Sequence, residues 1–255
     1  MFRPAFAVLA VAAAAAAQAE ELEICVEGAY PPFSQINNEG EIEGFDIDIA
    51  RALCAEMGVA CELVVTEWDA IIPALEEDKC DAIIASMSIT EERMQRVDFS
   101  KKYQQTPAKF AAEAGVDLED TNEGLAGKRI CVQRGTIHQD YIEGEYPDAE
   151  LVLYPTQDEI ALDMASGRCD AVMADSMALQ DGFLDTELGE GFAFFGGDHS
   201  VPEYHGEGAG VAVRKGEEAL RDRFSDAIRA IREDGTYAEI NDRYFQFDVY
   251  GGEGS

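Results

Sequence analysis

The chain carries one short pattern twice, and this internal repeat constrains its fold more than any other feature. In the first copy, an apolar run around Cys25 is followed downstream by Cys80-Asp81-Ala82-Ile83-Ile84. In the second copy, an apolar run around Cys131 is followed by Cys169-Asp170-Ala171-Val172-Met173. Short apolar runs of this kind are typical of buried strands. The repeat therefore predicts two similar halves, each with a first strand and a later strand at matching places.

Helical and extended patterns alternate between these strands in both halves. Apolar residues at helical spacing predict a helix that ends at Gly58, and Thr156 with Glu159 forms a capping box for another. Asp69 and Thr90 are predicted to cap two further short helices. Predicted strands are 23–26, 62–65, 82–87, 129–133, 151–154, 169–174 and 211–213, and predicted loops are 113–127 and 196–210. This order implies an α/β fold of two lobes, each a mostly parallel sheet flanked by helices, with a cleft between them.

Residues 1–19 have the composition of a signal peptide. Arg3 precedes an uncharged Ala-rich run, and Ala17-Gln18-Ala19 fits the small-x-small rule for cleavage before Glu20. The run is too short and too weakly apolar for a membrane-spanning helix, which needs roughly 20 apolar residues. We therefore expect an exported, periplasmic protein. The alternative is an Ala-rich N-terminal helix of a cytosolic protein.

Export makes the six cysteines candidates for disulfides. Cys54 and Cys61 are seven residues apart, across a predicted helix end and the start of a strand, which suits a local bridge. The repeat suggests two further bridges at equivalent places, Cys25–Cys80 and Cys131–Cys169. The alternative for these four is small buried thiols in strands.

Acidic residues outnumber basic ones by 52 to 19, and the formal net charge is −33. This excess argues against nucleic acid as a partner, since phosphates require clustered Lys and Arg. It also argues against docking on an anionic membrane surface. Most of the charge is expected to form a solvated surface, and attraction of cationic ligands is the more specific interpretation.

Polar side chains collect where predicted strands end, which is where open α/β sheets bind ligands. Arg93, with Ser88 and Thr136, suits the α-carboxylate of an amino acid, because a guanidinium matches a carboxylate bidentately and helix starts offer free N–H groups. Asp175 suits the α-amine. Gln133 and His138, on either side of the turn at Thr136, are the other candidate ligand-binding residues of the second half.

Three residues of the first half suit a ligand side chain. Tyr30 and Trp68, the one Trp, offer flat surfaces for an aliphatic chain or a cation, and Glu27 can pair with a positive tip. Each candidate also has an ordinary structural explanation, such as a solvated Arg, a core Trp or a capping Asp. The prediction rests on their agreement at strand ends in both halves.

Four segments together resemble one family, and the resemblance covers nearly the whole chain after residue 19. They are Gly44-Phe45-Asp46-Ile47-Asp48, the run 86–93, Asp234-Gly235-Thr236-Tyr237 and Phe247-Asp248-Val249-Tyr250-Gly251-Gly252. The chain resembles periplasmic polar-amino-acid-binding proteins of ABC importers, in the lysine/arginine/ornithine and histidine branch. The resemblance implies a periplasmic-binding-protein clamshell. Lobe 1 would be 20–106 and 210–255, lobe 2 would be 110–206, and a two-segment hinge would lie near 104–109 and 206–210.

The resemblance also implies residue roles. It assigns the α-carboxylate to Arg93, Ser88 and Thr136, and the α-amine to Asp175 and Ser86. The ligand side chain would lie between Tyr30 and Trp68, and the family's bridge falls on Cys54 and Cys61.

The chain departs from the branch at three positions. Glu27 replaces an Asp at the side-chain tip, as in arginine and opine binders. Ala85 replaces a serine, which removes one hydrogen bond to the ligand. Arg134 is unfavourable near a cationic ligand, so we expect it to point away.

We therefore expect binding of a cationic L-amino acid by lobe closure, with arginine favoured and lysine, ornithine or histidine as further ligands. An inner-membrane ABC permease with its ATPase would be the partner, and the protein would be a monomer and not an enzyme. No cofactor is expected, and His138, His199 and His205, the only histidines, resemble no standard metal-ligand set. The alternatives are a periplasmic enzyme similar to cyclohexadienyl dehydratases, and binding of an opine or another polar amino acid.

Overall fold

The computed structural model describes residues 20–252, so the predicted signal peptide lies outside the described residues. The strands are β1 (Glu21–Val26), β2 (Ala29–Tyr30), β3 (Ser34–Ile36), β4 (Ile42–Glu43), β5 (Ala60–Val65), β6 (Ala82–Ile83), β7 (Val97–Gln104), β8 (Ala108–Glu113), β9 (Arg129–Gln133), β10 (Glu150–Tyr154), β11 (Ala171–Asp175), β12 (Phe192–His199) and β13 (Ala209–Arg214). The helices are α1 (Phe45–Met57), α2 (Trp68–Glu76), α3 (Ile137–Glu145), α4 (Gln157–Ala165), α5 (Ser176–Leu179), α6 (Pro202–His205), α7 (Glu218–Glu233) and α8 (Thr236–Tyr244). No helix within 20–252 has the length and apolarity to span a membrane.

Two five-stranded sheets share one pattern of strand directions. The first runs β5-β1-β6-β13-β7 and the second runs β10-β9-β11-β8-β12. In each, the fourth strand is antiparallel to its neighbours and the other four share one direction. The prediction of a two-lobed α/β fold with mostly parallel sheets is confirmed. We call the structure around the first sheet lobe 1 and that around the second lobe 2.

The central strands of the two sheets also match in register. Cys25 of β1 lies opposite Ile83 of β6, and Cys131 of β9 lies opposite Val172 of β11. The repeated Cys-Asp-Ala segment therefore occupies the same position in each lobe, and residues can be compared pairwise between the lobes.

The structure joins the six cysteines as the three pairs that the sequence suggests. Their Cα–Cα distances are 5.7 Å for Cys25–Cys80, 6.1 Å for Cys54–Cys61 and 5.9 Å for Cys131–Cys169. The first and third pairs are equivalent, since each ties a central strand to the segment that leads into its neighbour. Each is buried in an apolar cluster on one face of its sheet, with residues of α2 in lobe 1 and of α4 in lobe 2.

The chain passes between the lobes twice. It leaves lobe 1 after β7 and enters lobe 2 at β8, and it returns from α6 to β13. Gly206 on the return segment has φ 67°, and a Cβ there would collide with the carbonyl of Ile89, so only glycine fits. After the return, α7 and α8 pack against α1 and complete the core of lobe 1. The predicted lobe and hinge bounds stay predictions.

Some predicted elements are wrong. The strands β7, β8 and β12 were not predicted, and β12 and α6 occupy part of the expected loop 196–210. Strand β7, for example, mixes buried and half-buried polar residues, so its pattern lacks a clear period. Asp69 lies inside the first turn of α2 and does not cap it. Thr90 accepts the N–H of Arg93 at 3.2 Å, but the segment after it forms a single 3₁₀ turn, Arg93–Gln95, and not a longer helix.

Candidate functional site

A cavity lies between the lobes, at the ends of their strands. All ten residues predicted from the sequence line it, together with Ala85 and Ile137: Glu27, Tyr30, Trp68, Ser86, Ser88 and Arg93 from lobe 1, and Gln133, Thr136, His138 and Asp175 from lobe 2. The structure thus brings the predicted set together, and the role of each residue stays a prediction.

Two pairs of these residues occupy equivalent positions in the two lobes. Glu27 directly follows β1, as Gln133 ends β9, and Ser86 occupies the position after β6 that Asp175 occupies in β11. The first pair is in direct contact, because Gln133 Nε2 donates to Glu27 Oε1 at 2.6 Å. The shared frame therefore places one pair of side chains face to face across the cleft.

Glu27 is buried, with 6% of its surface exposed. Burial raises its pKa to about 7, and the hydrogen bond from Gln133 offsets only part of this. The negative charges of Asp158 and Asp69 raise it further. A positive ligand group beside Glu27 would favour the ionised carboxylate, so this position is suited to a cation.

Asp175 is held by Tyr30, whose hydroxyl donates to Asp175 Oδ2 at 2.8 Å across the lobes. Burial raises the pKa of Asp175 to about 6, while hydrogen bonding by Tyr30, the nearby Thr106 hydroxyl and the charge of Arg93 act to lower it. The sequence suggested Tyr30 only as a flat apolar surface. The structure adds a second role, that of orienting the carboxylate of Asp175.

Arg93 presents its guanidinium to the cavity from the 3₁₀ turn after Thr90. It donates to the carbonyl of Ser88 at 3.2 Å and to that of Gly135 at 3.4 Å, and it lies over the Trp68 ring at 5.2 Å. Burial lowers the pKa of Arg93 to about 10, so the group stays charged at neutral pH. A guanidinium has five N–H donors, and those beyond these two contacts can bind a carboxylate.

The Thr136 hydroxyl makes hydrogen bonds within lobe 2. The hydroxyl donates to the carbonyl of Gln133 at 2.7 Å and accepts the N–H of Gln139 at 3.4 Å, as the N-cap of α3. The groups that face the cavity are those of the first turn of α3, where Ile137 and His138 also line it. Backbone N–H groups at such a helix start favour an anion.

His138 is buried, and burial lowers its pKa well below the usual range, so the ring is neutral. Within residues 20–252, no three side chains of His, Cys, Asp or Glu are grouped as metal ligands. This histidine therefore lines the cavity as a neutral ring.

Asp46 is a positioning residue that the sequence reasoning missed. The Ser86 hydroxyl donates to Asp46 Oδ2 at 2.9 Å, and the Ser86 N–H donates to the Tyr103 hydroxyl at 2.8 Å. These bonds hold Ser86 at φ 49°, a conformation rare outside glycine. Because its O–H is donated to Asp46, the Ser86 oxygen is left to accept. Asp46 belongs to the 44–48 motif, which was the available signal.

Arg134 lies outside the cavity, as expected. Its guanidinium pairs with Asp69 Oδ2 at 2.8 Å, which links the lobes at the mouth of the cleft. The charge of Arg134 is thereby matched by an acid of the opposite lobe.

Comparisons with known proteins agree with this architecture. The family model described as bacterial extracellular solute-binding proteins, family 3, matches residues 22–247. The chain is 48% identical over 232 residues to an L-arginine-binding protein of Pseudomonas aeruginosa, with 90% of each chain covered. It is 37% identical over 238 residues to a lysine/arginine/ornithine-binding periplasmic protein of Escherichia coli, with 92% of each covered. A solved Salmonella typhimurium periplasmic binding protein of high arginine specificity superposes with a TM-score of 0.83 at 30% identity, covering 89% of this chain and all of that one. The chain belongs to the bacterial extracellular solute-binding proteins of family 3.

Proposed function

We propose that this protein binds a cationic L-amino acid in the periplasm, arginine above the others, and delivers it to an ABC permease and its ATPase. One observation carries the proposal: the cavity holds a zwitterion clamp and a separate acid. Arg93 and Asp175 both line the cavity, and the positive charge of Arg93 acts to lower the pKa of Asp175. Glu27 lines the same cavity, and burial raises its pKa to about 7.

The clamp suits the α-amino-acid end of the ligand. Arg93 binds the α-carboxylate, supported by Ser88 and the first turn of α3. Asp175 and the oriented oxygen of Ser86 accept the α-ammonium. Arg93 and Asp175 are both partly buried, and a charge pair formed there is stronger than one in water.

The separate acid suits a positive side chain. The aliphatic part lies between Tyr30 and Trp68, and the tip meets Glu27, which Gln133 holds in place. Arginine is favoured because a guanidinium can bind a carboxylate bidentately, whereas an ammonium offers a point charge. One relative is an L-arginine-binding protein and a similar solved structure is of high arginine specificity, and both support this order.

Capture proceeds by lobe closure. The ligand binds lobe 1 through Arg93, and lobe 2 then closes about a hinge at 104–109 and 206–210, adding Asp175 and α3. A ligand shifts such an equilibrium only by its differential affinity for the closed form, which the two-lobed clamp supplies. The mature chain would begin at Glu20 and act as a monomer.

The protein is a binding protein and not an enzyme on the same scaffold. Asp175 provides a partner for an α-amine, which prephenate, an α-keto acid and a substrate of cyclohexadienyl dehydratases, lacks. A prephenate turnover assay tests this point directly, and measurable turnover would contradict it.

The ligand is tested by thermal shift and calorimetry on protein refolded free of bound amino acid. The panel is arginine, lysine, ornithine, histidine, an opine and citrulline, the neutral isostere of arginine. We expect arginine to raise the unfolding temperature most, since a ligand of the native state stabilises it by mass action. Citrulline binding as tight as arginine would contradict the role of Glu27, and no shift with any amino acid would contradict the function.

A further inference from the structure

A second polar cavity lies where the chain crosses between the lobes. We call it the hinge cavity. It shares Ser88, Ile137 and Asp175 with the ligand site, so the two cavities are direct neighbours. Both crossing segments line it, the outgoing one with Gln104, Gln105 and Thr106 and the returning one with His205 and Gly206.

Three residues that line the hinge cavity carry a buried polar atom without a hydrogen-bond partner among residues 20–252: Gln104 Oε1, Thr106 Oγ1 and His205 Nε2. The side chains of Gln104 and His205 are 2% and 8% exposed. A buried polar atom without a partner is costly, so native proteins satisfy such atoms with protein, water or ligand. Burial also lowers the pKa of His205 to about 4, so its ring is neutral.

Asp175 forms the boundary between the hinge cavity and the ligand site. One of its oxygens accepts from Tyr30, and the Thr106 hydroxyl on the hinge side lies against the same carboxylate and lowers its pKa. A ligand ammonium on Asp175 has three N–H donors, of which Asp175 and Ser86 take two. The third is left for a further acceptor, and because Asp175 lines both cavities, an ammonium held on it lies beside the hinge cavity.

We propose that the hinge cavity is a hydrated extension of the ligand site, in which water links the third N–H of the α-ammonium to Gln104 and His205. The space open to a water molecule is about 20 Å³, enough for at least one ordered water, and the walls supply the polar partners that buried water needs. A water-mediated bond of this kind is nearly as favourable as a direct one. Gln104 and His205 are therefore positioning residues for the α-amine. This inference rests on the proposed function and assigns the selectivity for a free α-amine to the hinge.

The test compares two ligands on two variants by calorimetry or competition. The ligands are L-arginine and 5-guanidinopentanoic acid, which is arginine without its α-amine. Gln104→Met keeps the side-chain length and removes the acceptor. Gln105→Met is the matched control, because Gln105 also lines the cavity but its Oε1 already accepts from Lys102 Nζ at 2.7 Å.

We expect Gln104→Met to weaken L-arginine by about threefold to tenfold, the effect of one hydrogen bond, and to leave the deaminated ligand within about twofold. Gln105→Met should change neither. Equal weakening of both ligands by Gln104→Met would show a purely structural role and overturn the inference, and so would no effect on either.

A second variant keeps the test decisive if Gln104→Met does not fold. His205→Phe preserves the ring contacts of His205 with Tyr141 and His138, at 4.8 Å and 6.2 Å, and removes the ring nitrogens. We expect the same loss, selective for L-arginine. Wild-type protein that binds no cationic amino acid would contradict the proposed function instead, so the two failures are distinguishable.

Discussion

The two lobes present the same backbone frame to the cavity but place different side chains on it. Glu27 follows β1 in lobe 1, and Gln133 ends β9 in lobe 2. Ser86 follows β6 in lobe 1, and Asp175 ends β11 at the equivalent position in lobe 2. Each equivalent pair thus contains one acid, and the two acids come from opposite lobes. A cationic amino acid has two positive groups, and the substitutions within the repeat provide one acid for each.

The anion-binding part of the cavity differs more deeply between the lobes. Lobe 1 supplies a side-chain cation, Arg93, whereas lobe 2 supplies the start of α3. Among the described residues that line the cavity, Arg93 is the one Arg or Lys. The repeat therefore explains the positions of the acids, but the carboxylate clamp arises from segments that the two lobes do not share.

Replacing Arg93 with Ala should have the largest effect. It leaves the ligand carboxylate and Asp175 without their cationic partner, and breaking a buried charge pair costs about 3–5 kcal/mol. We expect arginine affinity by calorimetry to fall by about 10²–10³-fold. Arg96→Ala is the control, since Arg96 is exposed and pairs with Glu76 at 2.5 Å, and it should leave affinity unchanged. A loss of tenfold or less in Arg93→Ala would mean that α3 binds the carboxylate without it.

The disulfides test the equivalence of the lobes directly. Removing the Cys25–Cys80 pair or the Cys131–Cys169 pair by double Cys→Ala substitution should lower the free energy of unfolding by about 2–4 kcal/mol in either case. The loops span 55 and 38 residues, so the chain-entropy difference between the two variants is only about 0.3 kcal/mol. Urea unfolding measures both. If removing one disulfide lowered the free energy of unfolding more than twice as much as removing the other, the two bridges would be equivalent in position but not in their contribution to stability.

The sequence predicted the site better than it predicted the sheets. Cys25 and Cys131 lie in short apolar runs, and the strand-end residues follow such runs. A run of this kind is recognised from the local sequence alone. The antiparallel strands β7, β8 and β12 are different, because they are defined by pairing with strands far away in the chain. Thr136 was assigned to the ligand carboxylate as part of a turn rich in N–H groups, and the hydrogen bonds that its hydroxyl makes within the protein leave no separate signal in the sequence. Asp46 was missed since its contact with Ser86 joins residues 40 positions apart.

Replacing Glu27 with Gln gives both members of the first pair the same side chain, and so removes the asymmetry that we hold responsible for cationic specificity. We expect arginine to bind about 10–100-fold more weakly, because a hydrogen bond to a charged group contributes about 1.5–3 kcal/mol. Citrulline affinity should stay within about threefold. The control is Glu23→Gln, an exposed acid on β1, the strand that precedes Glu27. Equal losses for arginine and citrulline would place the side-chain tip elsewhere.

The stability of the protein without ligand should depend on pH through its buried acids. Burial raises the pKa of Glu27 and Asp46 to about 7 and that of Asp175 to about 6. A group whose pKa is raised by folding stabilises the native state most below its unfolded pKa, near 4, and loses that contribution as pH rises through 6–7. We therefore expect these acids to lower the free energy of unfolding between pH 5 and pH 8, as measured by urea titration. Glu27→Gln should flatten part of this slope.

Arginine should reverse that dependence, because its two positive groups favour the ionised forms of Glu27 and Asp175. Binding then releases protons, about half a proton at pH 7 and more than one at pH 5.5, given pKa values near 7 and 6 before binding. Calorimetry in buffers of different ionisation enthalpy counts them. Because the acids lie in different lobes, Glu27→Gln should remove the release at pH 7 and keep most of that from Asp175 at pH 5.5. If Glu27→Gln removed the proton release at both pH values, the two acids would titrate as one coupled group. Glu27 and Asp175 could then not be treated as independent acids of the two lobes.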